Sequence, residues 1–354
     1  MRLFKEWFRR YLSNPQVVIL LTFLTLGFVI VLFTGDILAP VLASMVIAYL
    51  LQSIVTKLQR IGMSQLPAVL TAFMLFLAVL LLLLFYVTPE LSQQVSQLVP
   101  QLPEMIEKGL VQLQALLQKN QYISEQQILE IINNIKSEIS SYGQSLLIYI
   151  SSSIPDIITL VVYLILMPML VFFFLKDRDL MIDWASGFMP KDTELSSEVW
   201  RDVDLQIGNY VRGKMLEIMV VWIACYIAFA VMGLNYAFLL AAAVGLSVII
   251  PYIGAVVVTI PVALVAYFQW GWSADFAYLL ISYLVIQGID GTVIVPLLFS
   301  EVVNLHPIAI IVAVLFFGGL WGFWGVFFAI PLATAVQAII KAWPKENAEL
   351  SGEL

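Results

Sequence analysis

Charge, cysteine and histidine are all scarce in this chain. Only 12% of its 354 residues are Asp, Glu, Lys or Arg, about half the share usual in a soluble domain. From Met215 to Ile340 there is no lysine or arginine at all. One cysteine, Cys225, excludes an intrachain disulfide framework and a cysteine-built metal centre. The lone histidine is His306, and neither an HExxH zinc motif nor a GxxxxGK[ST] phosphate loop occurs. Metal hydrolysis and ATP-driven work by this chain alone therefore have no footing. No enzyme activity, metal or cofactor is expected, and the net charge of -7 lies mostly in loops, which carries no preference for nucleic acid.

Apolar sequence is abundant: 62% of the chain is hydrophobic and its mean hydropathy is +0.98. A membrane-crossing helix needs about 20 mostly apolar residues. Windows of that kind run from Val17 to Phe33, Ile37 to Thr56, Leu66 to Thr88 and Ile154 to Leu175, and cover nearly everything from Ile218 to Ile340. The fold class expected is an all-α polytopic membrane protein with about eight transmembrane helices, broken or re-entrant helices in its C-terminal half, and amphipathic extramembrane helices. Arg2, Lys5, Arg9 and Arg10 precede the first run, which reads as an uncleaved anchor.

Basic residues are retained on the cytoplasmic side. Placing the N-terminus, Lys57/Arg60, Lys176/Arg178, Arg212/Lys214 and Lys341/Lys345 inside leaves residues 89 to 153 outside, a segment with three Lys, no Arg and six Glu. Both termini are then cytoplasmic in a multi-pass inner-membrane protein. The chain divides into an N-terminal helix with three spans (1–88), an extracytoplasmic amphipathic segment (89–153), a fourth span (154–175), a charged cytoplasmic helical segment (176–216), a C-terminal core (217–341) and a tail (342–354). In the outer segment, apolar residues recur every three or four positions, as in helices packed on a surface.

Four carboxylates lie in the lysine- and arginine-free stretch: Glu217, Asp275, Asp290 and Glu301. Glu217 follows Lys214 by three residues near an expected boundary, and Asp275 follows Trp270 and Trp272, which suit an aromatic interface belt. Asp290 is different. It lies roughly 22 Å into its span at 1.5 Å per residue, where a carboxylate costs about 2.5–3.5 kcal/mol on insertion scales and must face protein or water. Tyr283, Gln287 and Asp290 share one helical face, and Gly288, Gly291 and Pro296 loosen the helix around the acid. The competing reading is packing glue to a neighbouring helix. Glu301 and His306 fall near the expected outer end of this span, with Pro307 starting the next helix.

Two apolar stretches are too long for simple spans: 236–268 and 307–340, each about 50 Å if helical against a core of about 30 Å. The first holds Pro251 and Gly254, the second Gly318, Gly319, Gly322 and Gly325. Interrupted helices leave free carbonyls at depth, where transporters place substrate and ion sites; close helix packing is the alternative for the glycines. Hydropathy alone leaves open whether each stretch crosses once or folds back.

The second half carries "YVRGK" (210–214), "GLNYAFLLA" (233–241), "IPYIGAVV" (250–257), "QGIDG" (287–291), Pro296, "LHP" (305–307), "GGLWGFWG" (318–325) and "AIPLATAV" (329–336). In that order and spacing they resemble the autoinducer-2 exporter family of bacterial permeases, also called the PerM family. The resemblance implies eight transmembrane helices, an inner-membrane location, homo-oligomers, and export of a small molecule or ions. Arg212 and Gly213 match the family's YxRG motif near the cytoplasmic boundary, Pro251 and Gly254 its PyiG motif, and Asp290, Pro296, His306 and Pro307 its late motifs. Lys214 stands where glutamine is common, and Ala255 where a second proline often follows.

The reading is an exporter of a small solute such as an autoinducer-2-like signal, coupled to an ion gradient, with Asp290 as the working acid, Gln287 and Tyr283 positioning it, and Glu301 and His306 at the outer mouth. A Na+(Li+)/H+ antiporter and a non-transporting scaffold are the rivals. Expected partners are the bilayer, the small-molecule or cation substrate, and further copies of the chain.

Overall fold

The computed structural model describes residues 15–105, 107–109, 111, 157–187, 194–251, 253–299 and 305–342. These are nearly all helical: α1 (Pro15–Arg60), α2 (Gln65–Leu82), α3 (Thr88–Leu98), α4 (Ile157–Lys176), α5 (Arg178–Ser186), α6 (Glu194–Val231), α7 (Ala237–Ser247), α8 (Ile253–Trp270), α9 (Ala274–Ile289), α10 (Val295–Phe299), α11 (Pro307–Phe327) and α12 (Ala329–Ala342). Single π turns, Leu83–Val87 and Asp290–Ile294, join α2 to α3 and α9 to α10.

Among the described residues, six helices are long and apolar enough to cross a membrane: Leu38–Arg60, Gln65–Gly109, Asp204–Val231, Ile253–Trp270, Ala274–Phe299 and Pro307–Phe327. These described spans do not confirm the expected count of eight. The windows at 17–33 and 37–56 form one uninterrupted helix of 46 residues, because Gly35 and Asp36 alone do not turn a chain that is apolar on both sides. At 1.5 Å per residue α1 is about 69 Å long.

α1 reverses into α2 through Gly62, whose φ of 103° suits a residue without Cβ. α1, α2 and α4 then pack through Val55, Ala68, Val69, Ala72, Val171 and Leu175. Alanines at the contact let backbones approach, the usual device where lipid removes any hydrophobic drive between helices. Ser44 Oγ, 2.6 Å from the Pro40 carbonyl and 3.2 Å from that of Met167, links α1 to α4.

The 236–268 stretch is a helical hairpin. α7 has 11 residues, about 16 Å and too short to cross, and the chain reverses around Pro251 before α8 begins at Ile253. Gly254 permits the reversal: a Cβ there would run into the Ser247 carbonyl. The two ends of the hairpin meet, with Gln269 Nε2 donating to the Gly233 carbonyl at 2.7 Å and Gln269 Oε1 accepting from Asn235 N at 2.7 Å.

The hairpin sets the direction of the helices after it. Ser282 on α9 lies against Met232 at the C-terminal end of α6, whereas Phe299 packs on Tyr210 near its other end, ring centroids 5.6 Å apart. α9 and α10 therefore run antiparallel to α6. The turn at 305–307 joins that same packing, through Leu305. His306 therefore lies toward the end of the bundle that holds Tyr210, opposite the end where Ser282 meets Met232.

The 307–340 stretch also doubles back. Gly322, at φ 56° and ψ -131°, breaks α11; a Cβ on Gly325 would meet the Phe317 carbonyl, and one on Gly318 would stand 2.8 Å from Val326. Phe327 returns to Tyr210, ring centroids 6.5 Å apart.

Candidate functional site

Asp290 opens the π turn between α9 and α10 and is 7% exposed. The turn arises where the sequence weakens the helix. Gly288 and Gly291 have open space where a Cβ would stand, Thr292 Oγ1 takes the Gly288 carbonyl at 2.6 Å, and Pro296 removes a backbone donor. The Val295 amide then reaches back five residues to the Asp290 carbonyl. Single π turns of this kind concentrate at functional sites. Asp290 Oδ1 is buried without a hydrogen-bond partner, as is Gln287 Nε2 one turn earlier.

The π turn packs on α6. There Tyr210, Lys214 and Glu217 follow one another at intervals of four and three, on one face. Lys214 is 4% and Glu217 2% exposed, with Lys214 Nζ 2.7 Å from Glu217 Oε2. The same ammonium donates to the Val248 carbonyl at 3.0 Å, at the tip of the α7–α8 hairpin. It also lies 5.2 Å from the Phe299 ring centroid and 6.0 Å from that of Tyr210. Lys214 acts electrostatically on Asp290, and Asp290 on Glu217. One acid from the α9–α10 break, an ion pair on α6 and a carbonyl from the hairpin tip thus converge.

Glu217 is thus enclosed by the helix packing and not a charge exposed at a helix end. The basic residue beside it suggested the membrane surface, whereas the ammonium is itself buried. The spacing of Tyr210, Lys214 and Glu217 on one face was the available signal.

The other expected residues are distributed more widely. Tyr283 is fully buried, but its hydroxyl lies 3.0 Å from Thr259 Oγ1 and donates to the Ala255 carbonyl at 3.2 Å, both on α8. It joins α9 to α8. Arg212 donates to Ser53 Oγ at 2.9 Å and to Asn209 Oδ1 at 2.8 Å, tying α6 to α1. Gly213 admits Phe299, whose Cε1 would stand 2.8 Å from a Cβ there. His306 caps α11, its Nδ1 accepting from Ile308 N at 3.3 Å. Pro296 is exposed, Gly319 has open space beside it, and Glu301 lies outside the described residues. Asp275 is exposed in the first turn of α9 beside the N-cap Ser273, where the helix dipole favours a carboxylate. Among the described residues no group of three or more His, Cys, Asp or Glu converges to hold a metal ion.

Known proteins carry similar sequence over nearly the whole length. The chain is 44% identical over 340 residues to the protein named permease PerM of Escherichia coli (strain K12), covering 96% of each. It is 26% identical over 325 residues to the protein named transport protein YueF of Bacillus subtilis (strain 168), covering 88% of this chain and 85% of that one. The AI-2 transport protein TqsA of Escherichia coli (strain K12) is 22% identical over 344 residues, covering 93% of each. Residues 19–345 match the model of the AI-2E family transporters. A multi-pass bundle with buried charge at its helix breaks, matched from end to end by permeases, belongs to the AI-2E transporter family.

Proposed function

We propose that the chain is an inner-membrane secondary transporter that exports a small polar or amphipathic solute, with Asp290 as its coupling carboxylate. The observation that carries this reading is a buried acid whose Oδ1 has no hydrogen-bond partner, set at a π turn that packs on the helix whose Lys214 holds the tip of an interrupted helix. Intramembrane acids of this kind line substrate and proton paths, and half-helix ends supply the ligands around them. The relative named for AI-2 transport makes an autoinducer-2-like molecule the first solute to test.

With α6 starting in the cytoplasm, the α7–α8 hairpin enters from outside and the α11–α12 hairpin from inside. Both are then re-entrant, the C-terminal end is cytoplasmic, and the 305–307 turn guards the cytoplasmic mouth. Purified protein in liposomes is expected to move the solute, with Asp290→Asn at least about tenfold slower, a loss of roughly 1.4 kcal/mol or more. Equal flux in the folded variant removes Asp290 from the mechanism.

A second buried carboxylate, Glu217, on the helix against which the π turn packs favours Na+(Li+)/H+ antiport as the alternative. In everted vesicles carrying a pH dye, a sodium-evoked pH change lost in Asp290→Asn supports antiport. Its absence in the parent protein excludes it.

A further inference from the structure

The buried cluster has an odd charge. Lys214 is one positive group and Glu217 and Asp290 are two negative ones, each at least nine-tenths buried, so the fully ionised cluster carries a net charge of -1. The other titratable groups coupled to it are Tyr210, which acts with Glu217, and Cys225, which acts with Asp290. Both are neutral in their ordinary forms. At Lys214 itself, Val248 offers a carbonyl and Phe299 a ring. An uncompensated charge at this depth is strongly unfavourable.

Two further atoms point to what is missing. Asp290 Oδ1 is an acceptor with no donor, and the Tyr210 hydroxyl, on a side chain 1% exposed, has no partner either. Lys214 already occupies the Val248 carbonyl at the end of α7, the negative pole of a helix. Lys214 is paired with Glu217 and with the Val248 carbonyl, which leaves Asp290 without a counter-ion of its own: the cluster has room for one further positive charge and a single free carboxylate is too few for a divalent ion.

We infer that Lys214, Glu217 and Asp290 form a site for one monovalent positive charge, a proton or an alkali cation, in which the Lys214 ammonium is the tethered counter-ion. Glu217 is thereby a second functional carboxylate, and Lys214 sets the stoichiometry. The inference rests on Asp290 being the working acid. It predicts that the charge inventory, rather than any one side chain, governs uptake. Lys214→Gln leaves two negative charges and takes two positive ones, Glu217→Gln leaves none and takes none, and the double variant returns to one.

Purified protein in detergent, in weakly buffered solution with a pH dye, is titrated with NaCl and separately with choline chloride. Infrared spectra record the band of a protonated carboxyl. Alkali binding is supported if sodium, and not choline, releases one proton per chain and abolishes the band. A band that survives sodium but is absent in Asp290→Asn supports the proton as the single charge. The double variant Lys214→Gln/Glu217→Gln, checked for folding by gel filtration and helical circular dichroism, is expected to regain the behaviour that Glu217→Gln loses. Neither a band nor proton release in the parent protein overturns the inference, as does a folded double variant that stays silent. Solute flux in liposomes is read in parallel, so persisting flux with a negative charge result overturns this inference alone.

Discussion

Gly213 has no room for a side chain, because α10 brings Phe299 Cε1 to 2.8 Å from where a Cβ would stand. Gly213→Ala is therefore expected to lower stability by about 1–3 kcal/mol, read as a lower melting temperature in detergent. Adding Phe299→Leu should recover part of that loss, and an unchanged melting temperature in the single variant would show that α10 moves aside. Gly322 differs in kind: its backbone, at φ 56° and ψ -131°, suits glycine alone, and Gly322→Ala should cost about 1–3 kcal/mol. Gly319→Ala, three residues away in open space, should cost nothing measurable by the same melt. Residues of this kind were legible in the sequence, since Asp290, Pro251 and the glycines each break a helical or hydropathic rule. The partners of the acid were less so. Lys214 and Glu217 share a face with Tyr210, yet a basic residue reads as a membrane boundary until its burial is known. The hydroxyl of Tyr283 looked available beside Gln287, but Thr259 and the Ala255 carbonyl on another helix take it.

The short helix α7 is held at both ends by side chains from elsewhere. Lys214 takes the Val248 carbonyl past its C-terminus. At its N-terminus Gln94 Oε1 accepts from Leu239 N at 2.9 Å, while Gln94 Nε2 donates to Glu90 Oε1 at 2.8 Å. α3, at the start of the expected extracytoplasmic segment, thus supplies the acceptor that an N-cap would. Gln94→Ala should weaken α7 by about 0.5–2 kcal/mol, detected as faster hydrogen exchange of amides 237–241 with α8 unaffected. Exchange that rises equally in both helices would mean the hairpin opens as a unit. Apolar periodicity identified α3 as amphipathic and the breaks at Pro251 and Gly322 as breaks. It carried no information on this clamp, because a single glutamine in a polar helix is indistinguishable from its neighbours until the tertiary contact forms.

At the scale of the whole molecule, the sequence reading and the structure part over direction. Hydropathy counts apolar residues, and a tilted crossing and a hairpin satisfy the same count, so only packing decides that 236–268 returns to the end it left. The consequence is testable with the one native cysteine, Cys225, fully buried, replaced by alanine. In that background His306→Cys is expected to react with an impermeant thiol reagent only from the cytoplasmic side and Asp275→Cys only from outside. The reverse pattern would mean that the α7–α8 segment crosses the bilayer after all. The unbroken course of α6, 38 residues from Glu194 to Val231, adds a mechanical consequence. About 30 Å of rigid rod lies between its first residue and Lys214, so a tilt of about 5° pivoting there sweeps the far end by roughly 3 Å. α6 is a lever arm with its fulcrum among buried charges, and any force on its N-terminal end arrives at the ion pair as torque.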